Sequence, residues 1–188
     1  MGLNLAQSVG CCILFGSRKT FMRFTESKKS YGIDLDADPV FVPNGFEVVE
    51  HRKGGFVAWT PHKPQFELYL PESQRKGIVE GAKVLEELEK FDGTIVNANA
   101  LDFLIDHVVD FPWIIPDAWK NVDLQRTKHI LFWGTKYLYD GSLCVRSLDW
   151  SADARERVWR SGYCWIENRL NSQFPAAMMR KPAPVASS

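Results

Sequence analysis

The sequence predicts an α+β fold: antiparallel β meanders, two main helices packed against the sheet, and a tryptophan-rich C-terminal β-hairpin with a third strand. Three patterns predict it. Short β-rich runs separated by glycine and proline fill residues 46–70. Apolar residues recur at helical spacing between residues 72 and 109. Two β-rich runs flank Asp140-Gly141, a pair typical of two-residue type I′ hairpins.

Length and composition exclude several classes of protein. The chain has 188 residues, of which 45% are hydrophobic and 24% charged, which excludes a mainly disordered chain, a collagen repeat and a simple coiled coil. No apolar run approaches the ~20 residues of a membrane-spanning helix. Lys plus Arg (23) equals Asp plus Glu (23), so net charge does not favour nucleic acid. The charges are segregated, however: 31–118 is acidic and 119–188 basic, which indicates internal complementarity or a basic binding face.

The predicted domain organisation has three parts. Residues 1–21 form an N-terminal extension with two possible interpretations: the apolar run 9–15 is a buried strand, or translation begins at Met22. No Lys or Arg precedes that run, so it does not fit a secretory signal. Residues 22–174 form a single domain, with a β-rich part (22–71) followed by helices and the C-terminal sheet (72–174). Residues 175–188, rich in Pro, Ala and Ser, are expected to be a disordered tail.

The β-rich part begins with a loop and a short extended piece over residues 31–45. The turn Asn44-Gly45 leads into strands predicted over 46–51, 56–60 and 65–70. Because the breaks between these strands are short, we expect a small antiparallel meander.

The first helix is predicted from residue 72, after Pro71, to about residue 89. Its expected buried stripe consists of Ile78, Ala82, Leu85 and Leu88. The helix also carries several glutamates, which we interpret as a solvated face.

A short extended piece over residues 94–96 precedes the second helix, predicted over 100–109 with Asn97 or Asn99 as its cap. Its apolar stripe is Leu101, Leu104, Ile105 and Val108, and the other side carries Asp102, Asp106, His107 and Asp110. A metal site at His107 and Asp110 would need a further ligand, so we predict no metal and no cofactor. Pro116 is expected to begin a short helix that ends near Lys120.

The turn at Asp140-Gly141 sets the expected register of strands 129–139 and 142–150. The expected pairs are Tyr139 with Ser142, Tyr137 with Cys144, Thr135 with Arg146, Trp133 with Leu148 and Leu131 with Trp150. One face then carries Leu131, Trp133, Tyr137, Cys144, Leu148 and Trp150, and the other carries Phe132, Leu138, Leu143 and Val145. Because both faces are apolar, the hairpin should be covered on both sides.

Residues 151–160 have helical propensity, but residues 158–166 are β-rich. We predict a loop or turn to about residue 155 and a third strand to about residue 166. A turn at Ala154 would place Cys164 opposite Cys144. The two thiols would then be either small buried hydrophobic groups or, in an oxidising compartment, a disulfide. The absence of a CxxC motif and the low cysteine content favour a reducing cytoplasm.

Several short runs point to a family. They are NANALD at residues 97–102, IPDAWK at 115–120, FWGT at 132–135, LCVR at 143–146 and FPAA at 174–177. With these runs, residues 76–177 resemble a group of small bacterial and phage-borne proteins. The resemblance implies a bacterial or phage origin and no activity, cofactor or site residue.

The sequence has no phosphate-binding glycine loop, no GxSxG and no HExxH, which favours a non-catalytic role and leaves enzymatic activity open. We expect a cytoplasmic binding or regulatory protein that acts through protein contacts. One alternative is single-stranded nucleic-acid binding by an aromatic and basic sheet face. A second alternative is a hydrolase. The candidate binding residues are Trp133, Tyr137, Arg146, Trp150 and Arg160.

Overall fold

A computed structural model describes residues 31–60, 65–120, 128–153 and 156–180, and these form the predicted α+β fold. The strands are β1 (Tyr31–Asp34), β2 (Glu47–His51), β3 (Phe56–Trp59), β4 (Glu67–Tyr69), β5 (Val79–Glu80), β6 (Gly93–Ile95), β7 (His129–Tyr139), β8 (Ser142–Asp153), β9 (Glu156–Trp165), β10 (Arg169–Leu170) and β11 (Ala176–Arg180). The helices are α1 (Glu72–Lys76), α2 (Gly81–Leu88) and α3 (Ala98–Val108), and Asp117–Trp119 form a 3-10 turn after Pro116.

The main sheet has the order β4-β11-β7-β8-β9, with β6 also paired to β11 and β2 to β7. Only the β11–β7 pair, which joins Ala176 to Leu131, is parallel among the described strands. The tail predicted from residue 175 is therefore wrong over residues 176–180. Composition suggested a tail, but the sheet supplies backbone partners for this segment, and its small side chains at Ala176 and Ala177 are fully buried. Residues 181–188 lie outside the described residues.

The three N-terminal strands lie where they were predicted, but the predicted meander is wrong. β2 pairs with β7, β3 pairs with β1, and β4 pairs with β11. Each short strand thus pairs with a distant partner rather than with its neighbour in sequence. This arrangement buries Val57 and Trp59 of β3 in the core.

The single helix predicted over residues 72–89 is two short helices, α1 and α2. The chain between them is extended, because β5 pairs with β10 through Val79 and Leu170. Gly81 then begins α2 against the Ile166 carbonyl oxygen, which a Cβ at this position would overlap. The predicted stripe is wrong at Ile78, which is 59% exposed, and at Ala82, which is also exposed.

The second helix is confirmed as α3, which begins two residues earlier than predicted. The predicted cap is Asn97, whose side chain accepts a hydrogen bond from the Asn99 N–H at 3.2 Å. Leu101 and Leu104 are buried as predicted, and Ile105 packs beside them.

The predicted hairpin is confirmed next to its turn and is wrong further away. Asp140 and Gly141 both have positive φ, 49° and 78°, as the type I′ turn requires. The predicted pairs of Tyr139 with Ser142 and of Tyr137 with Cys144 are present. Beyond them the register shifts: Lys136 pairs with Val145 and Phe132 pairs with the next residue of β8, Arg146, so residues 133–135 of β7 have no partner on β8. This bulge replaces the predicted pairs Thr135–Arg146, Trp133–Leu148 and Leu131–Trp150.

The bulge forms because residues 133–135 pair with other parts of the chain. The Gly134 N–H donates to the Val96 carbonyl at 3.0 Å, and its carbonyl accepts from the Arg52 N–H at 2.7 Å. Glycine is required here, since a Cβ at position 134 would lie 2.6 Å from the Ile95 carbonyl oxygen. Thr135 turns inward, and its hydroxyl accepts from the Ala98 N–H at 2.9 Å.

The bulge exchanges the sheet faces of the residues beyond it. Phe132 lies in a first core cluster with Leu148, and Leu131 and Trp133 lie in a second cluster with Val145, the reverse of the predicted faces. The prediction that both faces of the hairpin are covered is confirmed by these two clusters.

The third strand is confirmed as β9, but its register differs from the prediction by one residue. Cys164 pairs with Val145, and Cys144 pairs with Trp165, so the predicted pairing of the two cysteines is wrong. Both thiols are free and buried. The predicted turn residue Ala154 lies outside the described residues.

Burial makes these two thiols poor nucleophiles. Desolvation raises the pKa of Cys144 to about 12 and that of Cys164 to about 11. In a Cys11→Ser/Cys12→Ser variant, we expect neither thiol to react with a disulfide reagent at pH 8 until denaturant unfolds the chain. A reaction of two thiols per native chain at the rate of a free thiol would contradict this. The thiols of the unfolded chain lose their protons near pH 9, whereas the buried thiols of the folded chain keep theirs to higher pH. The free energy of unfolding, measured by urea denaturation, should therefore also fall as pH rises above about 9.

Candidate functional site

A buried ion pair joins α3 to the main sheet. Arg146 on β8 donates through Nη1 to Asp102 Oδ1 on α3, and the two residues are 2% and 7% exposed. Asp102 was predicted on the solvated side of the helix, and this is wrong. The Arg146 side chain points from the sheet into the protein interior, where its charge needs a partner. The face of α3 that covers it supplies the Asp102 carboxylate.

Three buried polar atoms lie around this pair, where the Arg146 guanidinium is next to the Tyr137 hydroxyl and the Phe41 N–H is next to the Asp102 carboxylate. They are Asp102 Oδ2, Arg146 Nε and the Tyr137 hydroxyl, all fully buried. Desolvation raises the pKa of Asp102, although the Arg146 guanidinium acts in the opposite direction. Burial likewise raises the pKa of Tyr137 to about 12. The cluster therefore combines a buried cation with two groups whose charged forms are disfavoured.

Residues 36–42, here called the strap, pass over this cluster and are held there by side chains of α3. Asn99 Nδ2 donates to the Ala37 carbonyl at 3.0 Å, and Asn99 Oδ1 accepts from the Val40 N–H at 3.2 Å. Asn97 Nδ2 donates to the Leu35 carbonyl at 2.7 Å, immediately before the strap. Because these bonds involve backbone groups, they fix the path of the strap independently of its side chains.

The strap places an aromatic ring above the ion pair. The Phe41 ring centroid lies 5.1 Å from Arg146 Cζ, within the range of a cation–π contact. Phe41 remains exposed on its outer side, with the exposed Val40 and Val42 beside it. The ring thus shields the buried guanidinium and presents an apolar face to solvent.

Three further aromatic residues lie on this side of the sheet. Together with Phe41 and the apolar Val42 they form a surface that we call the aromatic patch: Phe41, Val42, Phe46, Tyr139 and Tyr163. The Phe46 ring stacks on Tyr139 at 4.4 Å and lies 4.7 Å from Tyr163. Tyr163 is the cross-strand partner of Arg146, which connects this group to Phe41. Phe41 and the group of Phe46, Tyr139 and Tyr163 therefore lie on the same side of the sheet as the buried Arg146.

The five residues predicted as a binding face do not share one surface. Trp133, Tyr137 and Arg146 are buried. Trp133 and Arg160 lie on the opposite face of the sheet from the other three, since Trp133 packs in the second core cluster with Val145 and Arg160 pairs with Asp149. Only Tyr137 and Arg146 come together, and they do so below the aromatic patch.

The other two predicted residues lie near the far end of the hairpin. Trp150 is half-buried, packs on Trp159 at 5.1 Å and has the Lys120 ammonium 5.2 Å from its ring. Arg160 is exposed and pairs across the strands with Asp149, which lies 3.0 Å from His129 Nδ1.

Within the described ranges, no three His, Cys, Asp or Glu side chains come together as a possible metal site. His107 instead lies 2.8 Å from the Phe103 carbonyl through Nδ1 and packs on the Phe103 ring. None of the helices in these ranges is long and apolar enough to cross a membrane.

Sequence reasoning missed the strap and most of the aromatic patch. Asp102 and Arg146 are 44 residues apart, so no local pattern connects them. A weak signal was available at residues 40–42, three consecutive apolar residues between Pro39 and Pro43 in a segment predicted as loop. Such a run in a loop is typical of a surface with a binding role.

Comparison with known proteins gives no further assignment. No family model, curated protein or solved structure matches the chain. The resemblance noted for residues 76–177 therefore stays a prediction, and the assignment of a function rests on the geometry of the aromatic patch.

Proposed function

We propose that the protein is a non-catalytic binding protein that acts through protein contacts, and that the aromatic patch is its contact surface. The observation that carries this proposal is the set of exposed rings of Phe41, Tyr139 and Tyr163 on one side of the sheet, with the half-buried Phe46 packed against both tyrosines. Aromatic residues are enriched at protein interfaces, where they supply much of the binding energy. We place this activity in the cytoplasm, which the cysteine usage favours, and in a bacterium or its phage, the origin that the resemblance of residues 76–177 implies.

Two features support a role in binding rather than simple exposure of core residues. The strap is held by backbone hydrogen bonds to Asn99, so Phe41 is presented in one position without the partner. Tyr139 lies on β7 and Tyr163 on β9, the two strands that pair with β8 from either side, which restricts the movement of both residues. A preorganised aromatic surface loses little conformational freedom when it binds.

The test compares two double variants with the wild-type protein. Phe41→Ser/Tyr139→Ser removes two exposed rings from the patch, and Ile78→Ser/Val109→Ser removes two exposed apolar side chains elsewhere. Proteins captured from a bacterial lysate are quantified by mass spectrometry, and the purified partner is then titrated. We expect the patch variant to weaken binding at least about tenfold, and the control variant to bind as the wild type does.

Circular dichroism and thermal unfolding check that both variants are folded. A partner that binds the patch variant and the wild type equally would contradict the proposal. So would salt-dependent binding of a single-stranded oligonucleotide that exceeds all protein binding, since that would favour nucleic acid as the ligand.

A further inference from the structure

β9 is the last strand on one side of the main sheet. It has ten residues and pairs with β8 along its whole length without a bulge. In the part of the chain that the structure describes, no strand pairs with its other side. A long, regular edge strand is a template for another strand, and proteins usually protect such edges with proline, bulges or coverage. Residues 156–165 contain no proline.

The backbone groups available at this edge follow from the pairing. The Ile166 N–H donates to the Leu143 carbonyl at 2.9 Å, so alternate residues before it also direct their backbone groups toward β8. The residues between them, which include Trp159, Ser161 and Tyr163, direct their N–H and C=O groups outward. They form a row of donors and acceptors that an antiparallel strand can pair with.

The side chains along this edge are accessible on both faces of the sheet. Tyr163 is 37% exposed on the face of the aromatic patch, and Val158 is 38% exposed on the other face. Ser161, near the middle of the strand, is small and exposed. A second strand could therefore approach the edge without displacing a large side chain at its centre.

We infer that β9 pairs with β9 of a second copy of this chain, antiparallel, with the two-fold axis at Ser161. This register pairs residues 157–165 of both copies. It places Trp159 opposite Tyr163 of the second copy, twice by symmetry, and Arg160 opposite the side-chain-free Gly162. An axis at Arg160 would place two guanidinium groups directly opposite each other, and an axis at Gly162 would shorten the pairing to residues 159–165.

A second copy suits this edge because the edge is complementary to itself. The odd-numbered residues of β9 direct their N–H and C=O groups outward. When odd-numbered residues of one copy pair with odd-numbered residues of the other, each outward N–H therefore lies opposite an outward C=O. The register at Ser161 also puts aromatic residues opposite each other and no two like charges. Two-fold pairing is the commonest symmetry of protein dimers, and it would extend the main sheet across both copies.

The test introduces charges at the two-fold axis, where Ser161 of one copy lies opposite Ser161 of the other. Sedimentation velocity is measured for the wild type and for Ser161→Lys and Ser161→Glu, with Ser161→Gln as a neutral control of similar size. We expect a reversible wild-type dimer at roughly 100 μM, consistent with a modest interface. Each charged variant should dimerise at least about tenfold more weakly, and Ser161→Gln should dimerise within about threefold of the wild type. An equimolar mixture of the two charged variants should recover the dimer.

The Ser161 side chain is exposed and its backbone groups point outward, so these variants should fold as the wild type does, which circular dichroism checks. A wild type that is monomeric at this concentration overturns the inference. So do charged variants that dimerise as the wild type does, or a mixture that stays monomeric. The inference does not rest on the proposed function, because Phe41→Ser/Tyr139→Ser should leave the dimer intact.

Discussion

Ending the chain after Phe174 should abolish folding, whereas ending it after Arg180 should leave a folded protein. The two chains differ by β11 and Pro175. β11 lies between β4 and β7 and also pairs with β6, so its loss leaves the backbone groups of three strands without partners. It also removes Ala177 from the first core cluster and Met178 from the second. Both halves of the core would be opened to water.

Circular dichroism and chemical denaturation of the two truncated chains test this prediction. The chain that ends after Arg180 should unfold cooperatively, as the full-length chain does. The chain that ends after Phe174 should have little fixed structure and should be digested rapidly by protease. A cooperative transition in the shorter chain would show that β11 is dispensable.

Asp102→Ala should lower the free energy of unfolding by about 3–5 kcal/mol, because it leaves the Arg146 guanidinium buried without a counter-charge. Arginine remains protonated at all accessible pH values, so this loss cannot be relieved by titration. Urea denaturation at neutral pH measures the change. A loss below about 1 kcal/mol would mean that the pair contributes no more than a surface ion pair.

The reciprocal variant, Arg146→Met, separates this effect from simple loss of packing. It leaves the Asp102 carboxyl buried, and burial already raises the pKa of that carboxyl. The folded state then binds a proton more tightly than the unfolded state, so stability should increase as pH falls from neutral toward about 4. Asp102→Ala should show no such recovery. The double variant Asp102→Leu/Arg146→Met should be more stable than either single variant, since it leaves no buried charge.

The sequence alone determined the features that depend on neighbouring residues. Asp140-Gly141 predicts its turn because both positions need positive φ, and the pairs next to the turn follow from it. Asn97 predicts the start of α3 because its side chain can accept from the first free N–H groups of a helix. Runs of β-rich residues between turn residues located β9 and most of the other strands for the same local reason.

Only the tertiary structure decided which distant segments pair. The bulge at residues 133–135 exists because Gly134 pairs with Val96 and Arg52 rather than with β8. The burial of Asp102 depends on Arg146, and the role of β11 depends on the strands on either side of it. Backbone groups must find partners, but any strand can supply them, so composition and periodicity do not specify which one does. The aromatic patch was missed for this reason: its members are brought together by pairings that no local pattern records.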